Sequence, residues 1–213
     1  MDEGMKNNLI AALMVVCLAL GLMGQFGGNW LDAKDNDTST GLTTLNCNDE
    51  QGCIDMEMDG MAMGAACEKG VDMMVTAMSG GALTEGSKDD YKENCADTYD
   101  TESAGSTGSM ILWVGSIAAI LCVVVLVLGM AGIEIEQIPE KVPMITMWAA
   151  GALTLLAVLV WKLSLPDGDS MEGGMSVWLT LAAGVCGLAA GGMDTFMPGE
   201  AAPAAAEEAP AAE

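Results

Sequence analysis

Apolar residues in this chain fall into four long blocks separated by acidic, Gly- and Thr-rich stretches. The blocks are LIAALMVVCLALGLMGQFGG (9–28), SMILWVGSIAAILCVVVLVLGMAG (109–132), PMITMWAAGALTLLAVLVWKL (143–163) and GGMSVWLTLAAGVCGLAAGGM (173–193). Each holds about 20 residues, enough for a helix to cross roughly 30 Å of hydrocarbon. Their only charged residue is Lys162, at an edge where a long side chain reaches the interface. The pattern predicts an all-α membrane four-helix bundle. The first block could instead be a cleaved signal peptide. Its front, MDEGMKNN (1–8), has no clearly positive region, and no small-residue cleavage site follows, so an uncleaved helix is expected.

The polar stretches then become a large loop (29–108), a short Pro-bearing connector (133–142), a turn (164–172) and a tail (194–213). The tail is Ala/Pro/Glu low complexity and is expected to be disordered. Trp30, Trp113, Trp161 and Trp178 fall at one set of helix ends, which reads as an aromatic belt, with Trp148 at the other. Asn36 begins an Asn-Asp-Thr glycosylation sequon in the large loop. Loop cysteines favour an oxidising side. These signals put the large loop outside and both termini in the cytoplasm, in the plasma membrane.

Seven Lys, no Arg and no His face 30 acidic residues, for a formal net charge of −23. No basic patch exists to displace counterions, so nucleic acid is not an expected partner. Without His there is no Ser-His-Asp or Cys-His machinery and no His-ligated zinc. No block carries an acidic or basic residue near its middle, where proton relays and ion pathways need one. Thr154 and Thr180 are the notable mid-block hydroxyls, and Thr in a helix bonds its own backbone. An enzyme is not expected.

Cys17, Cys122 and Cys186 lie inside blocks and read as small apolar packing residues. Cys47, Cys53, Cys67 and Cys95 share the large loop. Four cysteines allow three connectivities. Closeness in sequence, with a turn-like NDEQG between, favours Cys47–Cys53 as the staple of a hairpin and leaves Cys67–Cys95. A loop poor in large apolar residues needs such bridges.

Within the loop, Met56, Met58, Met61 and Met63 alternate with Asp55, Glu57 and Asp59. Thioethers suit Cu(I), so this segment is a candidate copper site, although Met is also a common packing residue in this chain. Asp55, Glu57, Asp59 and Gly60 match the start of a Ca²⁺ loop, but Ala66 stands where its bidentate Glu belongs. The following VDMMVTAM reads as a short amphipathic helix. In the fourth block, Ala183, Gly187 and Gly191 recur every four residues. Such a stripe serves close helix packing, within the bundle or against a second copy or larger membrane partner.

Trp30 after the first block, Gly41-Leu42, then Cys47 and Cys53 resemble the first loop of the claudin and peripheral-myelin-protein superfamily of four-span proteins. The order of spans agrees. That resemblance implies a small antiparallel sheet on a four-helix bundle, with paired cysteines joining strands and the Trp packed near the membrane. Thr43 stands where the family has a second Trp, and the loop runs on well past Cys53. The expected architecture is thus a four-helix membrane bundle with a disulfide-stapled extracellular domain of small antiparallel sheet plus short helix. The expected role is structural or adhesive, or that of an accessory subunit, with membrane lipid and a homo-oligomer or larger membrane protein as partners. Extracellular copper or divalent-cation capture through 53–67 is the alternative.

Overall fold

In the computed structural model, residues 3–33, 39–48, 50–79, 95–133, 139, 141–166 and 171–197 are described. Asn36 and the tail beyond residue 197 lie outside them. Four helices are long and apolar enough to cross a membrane: α1 (Glu3–Phe26), α4 (Ala96–Met130), α5 (Val142–Ser164) and α6 (Met175–Phe196). Between α1 and α4 lie strands β1 (Leu31–Ala33), β2 (Ser39–Thr40) and β3 (Leu45–Asn46), then helices α2 (Gln51–Asp55) and α3 (Met63–Ser79). Strand β4 (Met171–Gly173) separates α5 from α6.

Two helix boundaries differ from the apolar pattern. α4 begins at Ala96, well before the apolar block opens at 109. Its 35 residues span about 52 Å at the usual rise, so a polar N-terminal arm projects past the bundle. A helix already nucleated by its apolar half propagates cheaply, one hydrogen bond per residue fixed. α6 likewise runs on through Asp194 to Phe196, into what the low-complexity pattern assigned to the tail. α4 stops where Gly132 adopts a left-handed φ of 74°. There Ile133 N–H reaches Leu128 O and Gly132 N–H reaches Gly129 O, a Schellman closure. α5 starts with Pro143 in its first turn, where a missing N–H does no harm.

α1 packs on α6 and α4, and α5 packs on α4 and α6. One apolar cluster holds Ile10, Met14, Ala119, Cys122 and Met147; a second, at the sheet end, holds Leu112, Ala157, Val158 and Trp161. At the end away from the sheet, Lys6 Nζ donates to Asp194 O (3.2 Å) and lies 3.7 Å from its carboxylate, tying the start of α1 to the last turn of α6. The bundle's exterior carries apolar side chains, with Val15, Ile117, Leu121, Val124, Leu159 and Val185 all exposed, a surface that suits hydrocarbon surroundings. Thr154 and Thr180 donate to Ala150 O (2.7 Å) and Ser176 O (2.8 Å) one turn back, so their hydroxyls are spent on their own helices.

Glycine sets the α5–α6 spacing. A Cβ built on Gly187 would lie 2.8 Å from Gly151 Cα, so the two backbones touch. Ala183 is fully buried, and Gly191 lies under the Trp148 ring. The Ala183–Gly187–Gly191 stripe therefore packs inside the bundle.

The aromatic belt is only half present. Trp113 and Trp178 are exposed, but Trp30 and Trp161 are buried against each other. Ring area of that size is worth more inside a core than at an interface.

Gly187→Val must push α5 and α6 apart, with an expected loss of roughly 1–3 kcal/mol. Gly192→Val, at a position where a Cβ meets nothing, controls for helix propensity. Thermal unfolding of both variants in detergent checks this: only the Gly187 variant is expected to melt early.

Candidate functional site

The segment after α1 has too few large side chains to form a core alone, and it folds by borrowing the bundle's end. β3, β2, β1 and β4 form one antiparallel sheet in that order. β1 pairs Leu31 with Thr40 on one side and with Gly173 on the other. The sheet thus joins both connections at this end of the bundle. β2 and β3 form a hairpin whose turn closes with Gly41 N–H on Thr44 O (2.7 Å).

Trp30 is the junction. Its N–H donates to Thr40 O (2.7 Å), and its carbonyl accepts from Gly174 N–H (2.9 Å). Its indole Nε1 donates to Gly24 O (2.8 Å), a carbonyl in the last turn of α1. Its ring meets Trp161 edge-on, with centroids 4.9 Å apart. Next to it, Asn29 O accepts the N–H of Ser176 (3.0 Å), one of the first free donors of α6. Gly41-Leu42 forms the second anchor. Leu42 is buried, and its carbonyl lies so close to Gly105 that a Cβ there could not fit. Trp30 and Leu42 therefore hold the sheet to the helices, and Gly41 closes the hairpin turn beside Leu42.

The cysteines pair as expected, Cys47 with Cys53 and Cys67 with Cys95. The first bridge does not join two strands. Cys53 sits in α2, and the chain turns back only afterwards, pairing Leu45 with Met61 and Gly60 and Thr43 with Met63 through backbone hydrogen bonds. The staple lies inside the hairpin's connection. The second bridge fastens α3 to Cys95, the residue capping α4. Glu102 accepts from Gly64 N–H (2.9 Å) in the first turn of α3, and Tyr99 O–H donates to Glu68 (2.7 Å), so α3 rests along the polar arm of α4.

The Met/Asp/Glu segment packs into the domain. Met56, Met58 and Met61 pack on the Cys47–Cys53 bridge, and Met63 is buried beside them. The three carboxylates point to separate tasks. Asp55 accepts from Gln51 Nε2 (2.7 Å), and Asp59 accepts from Cys47 N–H (3.0 Å). Glu57 has φ 53° and closes α2, while Lys69 donates to its carbonyl (3.1 Å). Ala66 is buried in the Met cluster. Among the described residues no three His, Cys, Asp or Glu side chains converge as a metal site. The start of a Ca²⁺ loop in the sequence is thus a helix and its cap in space.

A half-open cavity of ≈530 Å³ lies between the sheet, α3, the α4 arm and the end of α5. Leu31, Leu45, Met58 and Met63 line it, with Thr40, Asp97, Thr98, Thr101 and Lys162 as polar members. Thr40 is buried, and its hydroxyl has no partner among the described residues. The sequence reading missed Thr40, Gly105 and β4. SAGSTG (103–108) fell within the large loop assigned to 29–108, and a Gly that admits a neighbouring backbone looks like a loop Gly in sequence. MEG (171–173) has no strand periodicity and becomes a strand only because β1 presents an open edge.

No protein-family model, curated protein or solved structure matches this chain.

Trp30→Ala is expected to loosen the loop domain by roughly 3–5 kcal/mol, the usual loss for a fully buried aromatic. Limited proteolysis at 29–79 checks it: cleavage should accelerate while the four long helices stay intact. Removing Cys67–Cys95 (separation 28) should cost about 1 kcal/mol more than removing Cys47–Cys53 (separation 6) if chain entropy dominates. Denaturant melts of the paired Cys→Ala variants, followed by the same proteolysis, measure that difference.

Proposed function

We propose that this protein is a non-enzymatic, claudin-like membrane protein whose loop domain makes structural, adhesive or accessory-subunit contacts at the cell surface. The observation that supports it is the seating of the sheet. Both loops at one end of the bundle contribute strands, and Trp30 and Leu42 lock them to α1, α4 and α5. A domain held this way is a rigid platform at the membrane surface, which suits recognition by a fixed face. The antiparallel sheet on four helices agrees with what the claudin resemblance implies. The long continuation after Cys53 departs from that family and here supplies α3 and the α4 arm.

Two disulfides in this domain favour the extracellular side, with both termini cytoplasmic, in the plasma membrane. The region 29–108 carries 17 acidic residues against four Lys. Two such platforms repel unless salt or a divalent cation intervenes. Homotypic contact is therefore expected to depend on cations.

Liposomes carrying the protein with the loop domain outward, mixed with Mg²⁺ or Ca²⁺, test this by light scattering. Clustering that reverses with chelator is the expected result. Dispersed vesicles in either cation, at protein densities where Trp30→Ala vesicles behave identically, would sink the homotypic adhesion reading.

A further inference from the structure

The cavity beneath the sheet is used by none of the interactions described above. We propose that it is a lipid site, which takes one anionic phospholipid from the surrounding membrane. Its ≈530 Å³ falls within the range of small-ligand pockets. The wall formed by Leu31, Leu45, Met58, Met63 and Leu165 is apolar and suits a hydrocarbon chain.

Of the five polar residues on the lining, Thr40, Asp97, Thr98, Thr101 and Lys162, two carry the argument for the head. Lys162 stands in the last turn of α5, where the apolar helix ends, and has no carboxylate partner among the described residues. In a chain with seven Lys and a net charge of −23, its ammonium is the one cation among the lining residues, with Asp97 as the one carboxylate, and it offers an anion a counter-charge. Thr40, only 4% exposed, lines the same cavity with an unpaired hydroxyl. A buried hydroxyl without a partner is penalised, and a ligand oxygen removes the penalty. A phospholipid offers both: a phosphate for Lys162, and glycerol-region oxygens for Thr40 where the chain begins. A purely apolar molecule would leave Thr40 unpaired and Lys162 unused. Asp97, exposed on the same lining, disfavours heads with several phosphates.

The full chain in dodecyl maltoside is titrated with lysophosphatidic acid, with monoacylglycerol and with glycerol phosphate, and bound species are counted by native mass spectrometry. One lysophosphatidic acid per chain is expected, at least tenfold tighter than monoacylglycerol, with no saturable glycerol phosphate. Lys162→Gln should weaken it about tenfold, and Lys162→Arg should restore it. Gly70→Leu fills the cavity. A Cβ there meets only Met58 Cε at 3.4 Å, and Leu suits a helix better than Gly, so the variant is expected to fold and to lose the bound lipid. Thr40→Val is the second variant: it should raise the lipid-free melting temperature while lowering lipid affinity. Equal binding of monoacylglycerol, saturable binding of glycerol phosphate alone, or occupancy untouched by both Gly70→Leu and Thr40→Val would each overturn the proposal.

Discussion

The loop domain depends on one constraint: its backbone polar groups and few large side chains must be satisfied by the helices beneath it. Trp30 meets that constraint at four points. Its N–H joins β2, its carbonyl receives the turn that opens α6, its indole N–H covers a carbonyl of α1, and its ring packs on Trp161 of α5. A buried indole needs a partner for its N–H, and the last turn of a helix has spare carbonyl capacity. One residue thus covers a helix end with its side chain and begins a sheet with its backbone. Truncating its side chain keeps the backbone bonds to β2 and α6 but uncovers Gly24 O of α1 and the Trp161 ring of α5, so the sheet and the bundle end should behave as one cooperative unit.

Close approach is the second organising theme, and Gly makes it possible at two levels. Gly151 and Gly187 let α5 and α6 touch backbone to backbone within the bundle. Higher up, Gly105 and Gly108 on the α4 arm admit the Leu42 turn and Trp161. Dispersion attraction at such short range helps compensate for the weaker hydrophobic drive between helices in lipid. The same device therefore builds the bundle and docks the domain on it.

How much of this was legible follows from what each signal encodes. Four spans were readable because burial in hydrocarbon demands an unbroken apolar run, and the runs are unmistakable in 109–132 and 143–163. The disulfide pairs were readable from spacing. The α4 arm was not, since ADTYDTESAGSTG has the composition of a loop and becomes helical through continuity with α4 and contact with Leu42. The placement of the Met/Asp/Glu run was not legible for a related reason. Alternation places ligand types side by side in sequence, but a helix ending at a left-handed Glu57 turns the carboxylates apart and the thioethers inward. Trp161 read as an interface residue because it ends a span, and nothing local reveals that Trp30 covers it.

The charge distribution connects these features. Acidic side chains serve the loop domain as local acceptors: Glu102 for Gly64, Glu68 for Tyr99, Asp59 for Cys47. The described Lys residues are fewer, and two of them close specific contacts, Lys6 on Asp194 and Lys69 on Glu57. Lys162 differs. It neither closes a helix pair nor meets a carboxylate among the described residues, and it stands where the apolar span gives way to the acidic domain. A cation kept at that boundary, beside a cavity with an unpaired buried hydroxyl, gives an acid-dominated domain a place among its described residues for the proposed lipid head.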